Sequence, residues 1–192
     1  MSATSRSALP LIVQAASFLL GIALLFLVRW VEASSGASLL AASLLEEGLK
    51  AGLFLALWLA SRFAGERLRA LPSAEFLPLV CIVGFALTEN ILYFLQAPTG
   101  AIYQRLLYSY PIHLNTAALY TLAFLAGRPL AAALAVPAGT AYHFALNVLA
   151  LVASGPVIYA VGALNLAALA VLFLLIHRLR IERSLDPCWT PE

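Results

Sequence analysis

Long apolar stretches dominate this chain and limit what it can fold into. About six of them follow one another, each roughly 20 residues long, which is the length that a helix needs to cross a bilayer. They are too long to be strands of a membrane barrel. We therefore predict an all-α, polytopic membrane helix bundle of about six transmembrane helices. The predicted spans are approximately Leu9–Val31, Ala37–Ala60, Phe76–Gln96, Leu106–Ala126, Leu130–Ala153 and Val157–Ile176.

Composition agrees with a bilayer as the solvent of this protein. Its residues are 63% hydrophobic and only 10% charged, whereas soluble domains are roughly 45–50% apolar and about 25% charged. No stretch remains for a soluble domain, so residues 1–192 are predicted to form a single transmembrane domain. The first span is longer than the apolar core of a signal peptide, which favours a retained helix. Cys81 lies in a span and Cys188 in the tail, so no disulfide is predicted.

The arginines predict the orientation of the bundle. With six spans, the N-terminus, the second and fourth loops and the C-terminus share one side of the membrane. An excess of basic residues marks the cytoplasmic side. We therefore expect both termini to be cytoplasmic, a basic tail at about residues 177–192, and insertion in the cell's inner (cytoplasmic) membrane. The arginines on that side are Arg6, Arg62, Arg67, Arg69, Arg128, Arg178, Arg180 and Arg183, against Arg29 and Arg105 on the other.

Ionisable residues inside the predicted spans need an explanation. Each charge near the bilayer centre costs about 2.5–3.5 kcal/mol, so four unpaired charges would cost on the order of 10 kcal/mol. An ion pair of Lys50 with Glu46 at i,i+4 or with Glu47 at i,i+3 would account for one carboxylate. The others point to a functional site. These residues are Glu46, Glu47, Lys50, Glu89, His113 and His143.

The same residues share a depth in the bilayer. At 1.5 Å per residue, Glu46 and Glu47 lie outward of the middle of the second span. The third, fourth and fifth spans alternate in direction, yet Glu89, His113 and His143 also lie at or outward of the midplane. We therefore predict one cluster, built from four helices, in the outer half of the membrane.

Four short motifs contain these residues. They are EEGLK at Glu46–Lys50, GFALTEN at Gly84–Asn90, His113, and HFALN at His143–Asn147. In this order and on successive helices, they resemble the PrsW family of intramembrane proteases. They are more distantly similar to the type II CAAX-prenyl endopeptidase and bacteriocin-processing superfamily. The resemblance covers about Leu45–Asn147, within motif helices at about 37–153, and implies an intramembrane endopeptidase that cleaves a membrane-embedded or membrane-adjacent protein.

Hydrolysis of a peptide bond needs an activated water, a proton donor for the leaving amine and stabilisation of the oxyanion. In the first of two mechanisms, a glutamate is the general base, and the resemblance favours Glu46 over Glu47, which becomes an orienting residue or second ligand. His143 and Asn147 share a helix face and suit oxyanion or leaving-group contacts. A serine or cysteine nucleophile is not expected, because no GxSxG elbow occurs. The candidate catalytic residues are Glu46, Glu47, His113, His143 and Asn147, with Lys50, Glu89 and Asn90 in support.

In the second mechanism, one divalent metal ion, with Zn²⁺ preferred, activates the water. Catalytic zinc commonly takes three protein ligands and a water. No HExxH motif is present, and ligands on separate helices have no diagnostic spacing. The candidate ligands are Glu47, Glu89, His113 and His143. The sequence leaves open whether the cofactor is this metal or none.

Other functions would use the same residues differently. Buried Glu and His side chains also serve as ion or proton relays, so an ion- or proton-coupled transporter is the alternative function. Transporters often contain inverted repeats, and the motif helices form no such repeat. A membrane scaffold without catalytic activity would keep the ion pair of Lys50 but would not need every motif residue. The expected partners are a membrane protein substrate and the lipid bilayer, with no nucleic acid.

Overall fold

The chain is helical almost throughout the part that the structure describes. The structure is a computed structural model that describes residues 3–36, 38–63, 76–96, 101–126, 129–152 and 155–185. These residues form helices and contain no strand, so the all-α prediction is confirmed for them. The helices are α1 (Ala3–Ser35), α2 (Leu39–Phe63), α3 (Leu77–Gln96), α4 (Ala101–Ala126), α5 (Pro129–Val152) and α6 (Pro156–Leu185).

Four of these helices are long and apolar enough to cross a membrane. They lie in α1, α3, α5 and α6, and large apolar side chains such as Leu11, Trp30 and Leu174 are exposed on their outer faces. This is the architecture of a membrane protein. The four candidate spans are Leu11–Ser34, Leu77–Gln96, Ala133–Ala150 and Pro156–Glu182.

The remaining two helices, α2 and α4, are not among these candidate spans, and α4 lies in the middle of the bundle. α2 contains three charged residues in its middle, and α4 contains His113 and Asn115. α4 packs against α2, α3, α5 and α6, and most described side chains between Tyr108 and Leu125 are buried. A helix surrounded by protein can contain polar groups that lipid would not tolerate. Because α2 and α4 are not among the four candidate spans, the number of six spans stays a prediction, and so does the orientation of the termini.

Short turns connect consecutive helices at one end of the bundle. α1 ends at Gly36, whose φ of 59° and N–H bond to the Glu32 carbonyl (3.2 Å) form a left-handed C-cap. The Ser38 hydroxyl then caps α2 by accepting from the Ala41 N–H at 3.3 Å. Gly155, with φ 57°, forms the turn that leads into α6.

Three helices extend well beyond their predicted bounds. α1 begins at Ala3 instead of Leu9, and α4 begins at Ala101 instead of Leu106. α6 continues past Ile176 to Leu185, so the predicted tail begins as helix. The Arg178–Glu182 ion pair of 2.7 Å, at i,i+4, supports the extra turns where apolar residues give way to charged ones. Arg67, Arg69, Arg128, Cys188 and the last residues of the tail lie outside the described residues.

A close crossing fixes α1 against α3. A Cβ atom on Gly21 would collide with the backbone carbonyl of Cys81, and one on Gly84 would collide with the carbonyl of Phe18. The Ser17 hydroxyl donates to the Leu77 carbonyl at 2.5 Å beside this crossing. Glycine therefore sets the distance between the two helices, because no larger residue lets their backbones come so near.

Replacing Gly21 by alanine is expected to lower the free energy of unfolding by about 1–3 kcal/mol, because the added methyl group forces the backbones apart. Gly52→Ala is the matched control, since a Cβ atom there meets open space. Unfolding of the purified variants in mixed micelles measures both. Equal stability of Gly21→Ala and the parent protein would contradict the close crossing.

Candidate functional site

Six ionisable side chains from α2, α3, α4 and α5 meet in the interior, as the common depth predicted. All are buried, and those of Glu47 and Lys50 are completely inaccessible. They approach one another across helices, so the tertiary structure and not one helix builds the cluster. We call this set the Glu/His cluster. Its members are Glu46, Glu47, Lys50, Glu89, His113 and His143.

Glu47 is held from three helices at once. Its Oε1 accepts from Lys50 Nζ at 2.6 Å and contacts His143 Nδ1 at 2.8 Å. Its Oε2 accepts from the Tyr120 hydroxyl at 2.7 Å. A carboxylate with this many donors, and with no exposed surface, is placed to orient its neighbours. Because Lys50 and Tyr120 both donate to Glu47, we assign the proton of His143 to Nδ1.

His113 connects the two sides of the cluster. Lys50 Nζ lies 2.9 Å from His113 Nδ1, and His113 Nε2 lies 2.5 Å from Glu89 Oε2. An ammonium group can only donate, so Nδ1 must be the acceptor. The proton of a neutral His113 ring is therefore on Nε2, which donates to Glu89. The ring edge also contacts Phe85, with a centroid distance of 5.4 Å.

Two residues outside the four motifs also contact the cluster. Arg29, which the sequence uses only to predict orientation, donates to Glu89 Oε1 at 3.0 Å. Tyr120 follows His113 by seven residues and therefore lies on the same face of α4. That spacing is the signal that could have identified it. Nothing in the sequence links Arg29 to Glu89 without knowledge of the α1–α3 crossing.

Glu46 has different surroundings from those of its neighbour Glu47. It lines a cavity of about 620 Å³, and its Oε2 lies 3.2 Å from His143 Nε2. With Nδ1 of His143 donating to Glu47, Nε2 faces Glu46 as an acceptor in the neutral ring. Two acceptors at this distance repel each other unless one proton lies between them. The Glu46–His143 pair is therefore placed to share one proton beside the cavity.

Residues from all six helices line the cavity. His143 and Asn147 both line it, one helical turn apart, as their spacing predicted. Its walls come from the C-terminal halves of α1, α3 and α5 and the N-terminal halves of α2, α4 and α6, so it lies toward one end of an antiparallel bundle. Among its other lining residues are Arg29, Ser43, Glu89, Ile112, His113 and Ile158.

Asn90 is the predicted supporting residue that the structure places differently. Its side-chain amide donates to the Ala86 carbonyl of its own helix at 2.7 Å, and its Oδ1 is buried without a hydrogen-bond partner among the described residues. It does not line the cavity. The i to i−4 bond turns the amide along α3, away from a role in the cluster.

The candidate metal ligands divide into two groups. Each group has three ligand atoms within 4.8 Å of one another, close enough to surround one ion. The predicted ligands Glu47, Glu89, His113 and His143 are thus divided between two groups. The second group also contains Glu46, which was not among the predicted ligands. The groups are Glu47–His113–His143 and Glu46–Glu89–His113.

Lys50 opposes metal binding at both groups. Its ammonium already lies between Glu47 Oε1 and His113 Nδ1, at 2.6 and 2.9 Å, which is where a cation in the first group would bind. In the second group, His113 would have to ligate through Nε2 and carry its proton on Nδ1. That proton would face the ammonium group of Lys50, so this tautomer is disfavoured.

The fold and the site together define a class: a helical membrane protein with a buried Glu/His cluster beside a cavity. Comparisons with protein-family models, with curated proteins and with solved structures returned no match to this chain. The functional interpretation therefore rests on the site itself.

Glu47→Gln is expected to destabilise the protein by about 3–5 kcal/mol, because it leaves the buried Lys50 ammonium without its charged partner. Glu182→Gln is the control, since it removes a carboxylate from an exposed ion pair and should change stability little. Unfolding in mixed micelles compares the two. An unchanged unfolding free energy for Glu47→Gln would show that the pair does not stabilise the fold.

Proposed function

We propose that this protein is an intramembrane endopeptidase in which Glu46 activates a water molecule to cleave a membrane-embedded or membrane-adjacent protein. One observation supports this above the others: adjacent glutamates have separate environments. Glu47 is enclosed by Lys50, Tyr120 and His143, whereas Glu46 borders the cavity. A general base must reach its water, and of the two glutamates Glu46 is the one that does. The order of the motifs, which resembles the PrsW family, supports the same function.

The proposed reaction uses side chains that line the cavity. Glu46 accepts a proton from water while the water oxygen attacks the carbonyl carbon of the peptide bond. The Asn147 amide, with the proton held by the Glu46–His143 pair, stabilises the negative charge on the carbonyl oxygen. Glu46 then gives its proton to the departing amine, so that a carboxylic acid and an amine are the products, and the acid loses its proton to solvent on release.

The hydrogen bonds around the cluster keep these groups in place. Glu47 fixes the His143 ring through Nδ1, and Lys50 fixes Glu47. Positioning of this kind lowers the reorganisation needed in the transition state. We further propose six membrane spans with both termini in the cytoplasm, which places the cavity in the outer half of the inner membrane.

Glu46→Gln is expected to lower the rate of cleavage at least about 100-fold, since general-base catalysis contributes that much or more. The purified protein is reconstituted into liposomes with a detergent extract of bacterial inner-membrane proteins. New peptide termini are then counted by mass spectrometry. The variant should unfold like the parent protein, because Glu46 is not the partner of Lys50 in the buried pair.

Glu182→Gln serves as the matched control and should cleave at the parental rate. Equal numbers of new termini with the parent protein and with Glu46→Gln would contradict the proposal. The proposal would also be contradicted if liposomes with the parent protein gave no more new termini than liposomes without it. Proton-coupled flux without cleavage would instead support a transporter.

Cleavage is also expected to survive strict removal of metal ions, because the Lys50 ammonium opposes both ligand groups. Activity is measured after chelation and again after zinc is added back, with the metal content of the protein determined in parallel. Loss of cleavage on chelation and its recovery with zinc would contradict the glutamate mechanism. Glu46, Glu89 and His113, which line the cavity, would then be the ligands, and the metal would supply the activated water.

A further inference from the structure

Arg29 reaches the Glu/His cluster from α1, a helix that contains none of the four motifs. Its Nη2 donates to Glu89 Oε1 at 3.0 Å, and its Nη1 donates to Glu32 Oε2 at 3.3 Å. The centre of its guanidinium lies 4.8 Å from the centroid of the Tyr93 ring. A planar guanidinium held along two edges and against one ring has little freedom to turn. Arg29 therefore presents a fixed positive charge to Glu89.

Glu89 depends on that charge. It is 7% exposed, and a buried carboxylate is costly unless it is paired and hydrogen-bonded. Lys50, the lysine of the cluster, donates to Glu47 and His113 instead. Among the hydrogen bonds of the described residues, Arg29 is thus the permanently charged donor to Glu89, and the second oxygen of Glu89 remains for His113.

We propose that Arg29 is a positioning residue of this site: it holds Glu89, which in turn holds His113 in the tautomer that accepts from Lys50. The contacts form one continuous path from α1 through α3 and α4 to α2. Without Arg29, the Glu89 carboxylate loses its charged partner, and the Nε2 proton of His113 loses its fixed acceptor. The effect on turnover rests on the proposed function, whereas the effect on His113 does not.

The tautomer of His113 can be observed directly. Nitrogen NMR of the histidine rings, in protein reconstituted into nanodiscs, separates a protonated Nε2 from a protonated Nδ1, and the His113→Gln variant assigns the signal. The parent protein is expected to show a protonated Nε2. Arg29→Gln should shift or broaden the His113 signal, and Arg29→Lys should largely restore it. Arg178→Gln, which removes an exposed arginine from an ion pair, should leave it unchanged.

An unaltered His113 signal in Arg29→Gln would overturn the inference. This readout needs no substrate, so it decides the role of Arg29 even if the protein proves not to be a protease. A variant that fails to fold would lose all histidine signals together. A specific change at His113, with His143 and His177 unaffected, is therefore the expected result.

Turnover separates positioning from direct contact with substrate, because Arg29 also lines the cavity. Positioning predicts that Arg29→Gln lowers kcat about tenfold with KM unchanged, within the range of coupling for side chains in one network. It further predicts no additional loss when Glu89→Gln is already present. A rise in KM alone, or losses that multiply in the double variant, would show that Arg29 acts independently of Glu89 and overturn the proposal.

Discussion

The buried ammonium group of Lys50 is the constraint around which the interior is arranged. Its side chain has no exposed surface, and its nitrogen contacts Glu47, His113 and the face of the Phe85 ring, the last with 5.1 Å to the centroid. An isolated charge in such a place costs several kcal/mol, so α2, α3 and α4 must bring acceptors to it. Lys50 in turn fixes the tautomer of His113 and the orientation of Glu47. The Lys50 charge, which is costly to bury, thus determines how α2, α3 and α4 pack around it.

The same arrangement explains why two adjacent glutamates differ. Consecutive residues of a helix point about 100° apart, so Glu46 and Glu47 face different neighbours, and Lys50 bonds to Glu47. It faces the cavity, beside His143. Glu47 is paired with Lys50 and Glu89 with Arg29, which leaves Glu46 as the cluster carboxylate without a lysine or arginine partner among the ion pairs of the described residues. Helix geometry and charge pairing together therefore select the proposed base.

The sequence predicted what depends on local pattern and position along a helix. Apolar length predicted the helices, and equal depth predicted that Glu46, Glu89, His113 and His143 meet. It could not predict which donors complete the cluster, because Arg29 depends on the glycine contact between α1 and α3. The sequence also could not divide the candidate metal ligands into two groups, because that division depends on which ligand atoms the helices bring within 4.8 Å of one another. The tail begins as helix because the Arg178–Glu182 ion pair at i,i+4 supports turns beyond the apolar run. Apolar length alone does not predict these turns.

Attack by water on a peptide carbonyl is the central claim, and the isotope content of the products tests it most directly. The parent protein and Glu46→Gln are each reconstituted with inner-membrane proteins in water enriched in ¹⁸O, and the new C-termini are analysed by mass spectrometry. The account predicts one ¹⁸O atom in each new carboxyl group with the parent protein, and no such termini with Glu46→Gln. Labelled termini formed equally by both proteins, or new termini without the label, would contradict it.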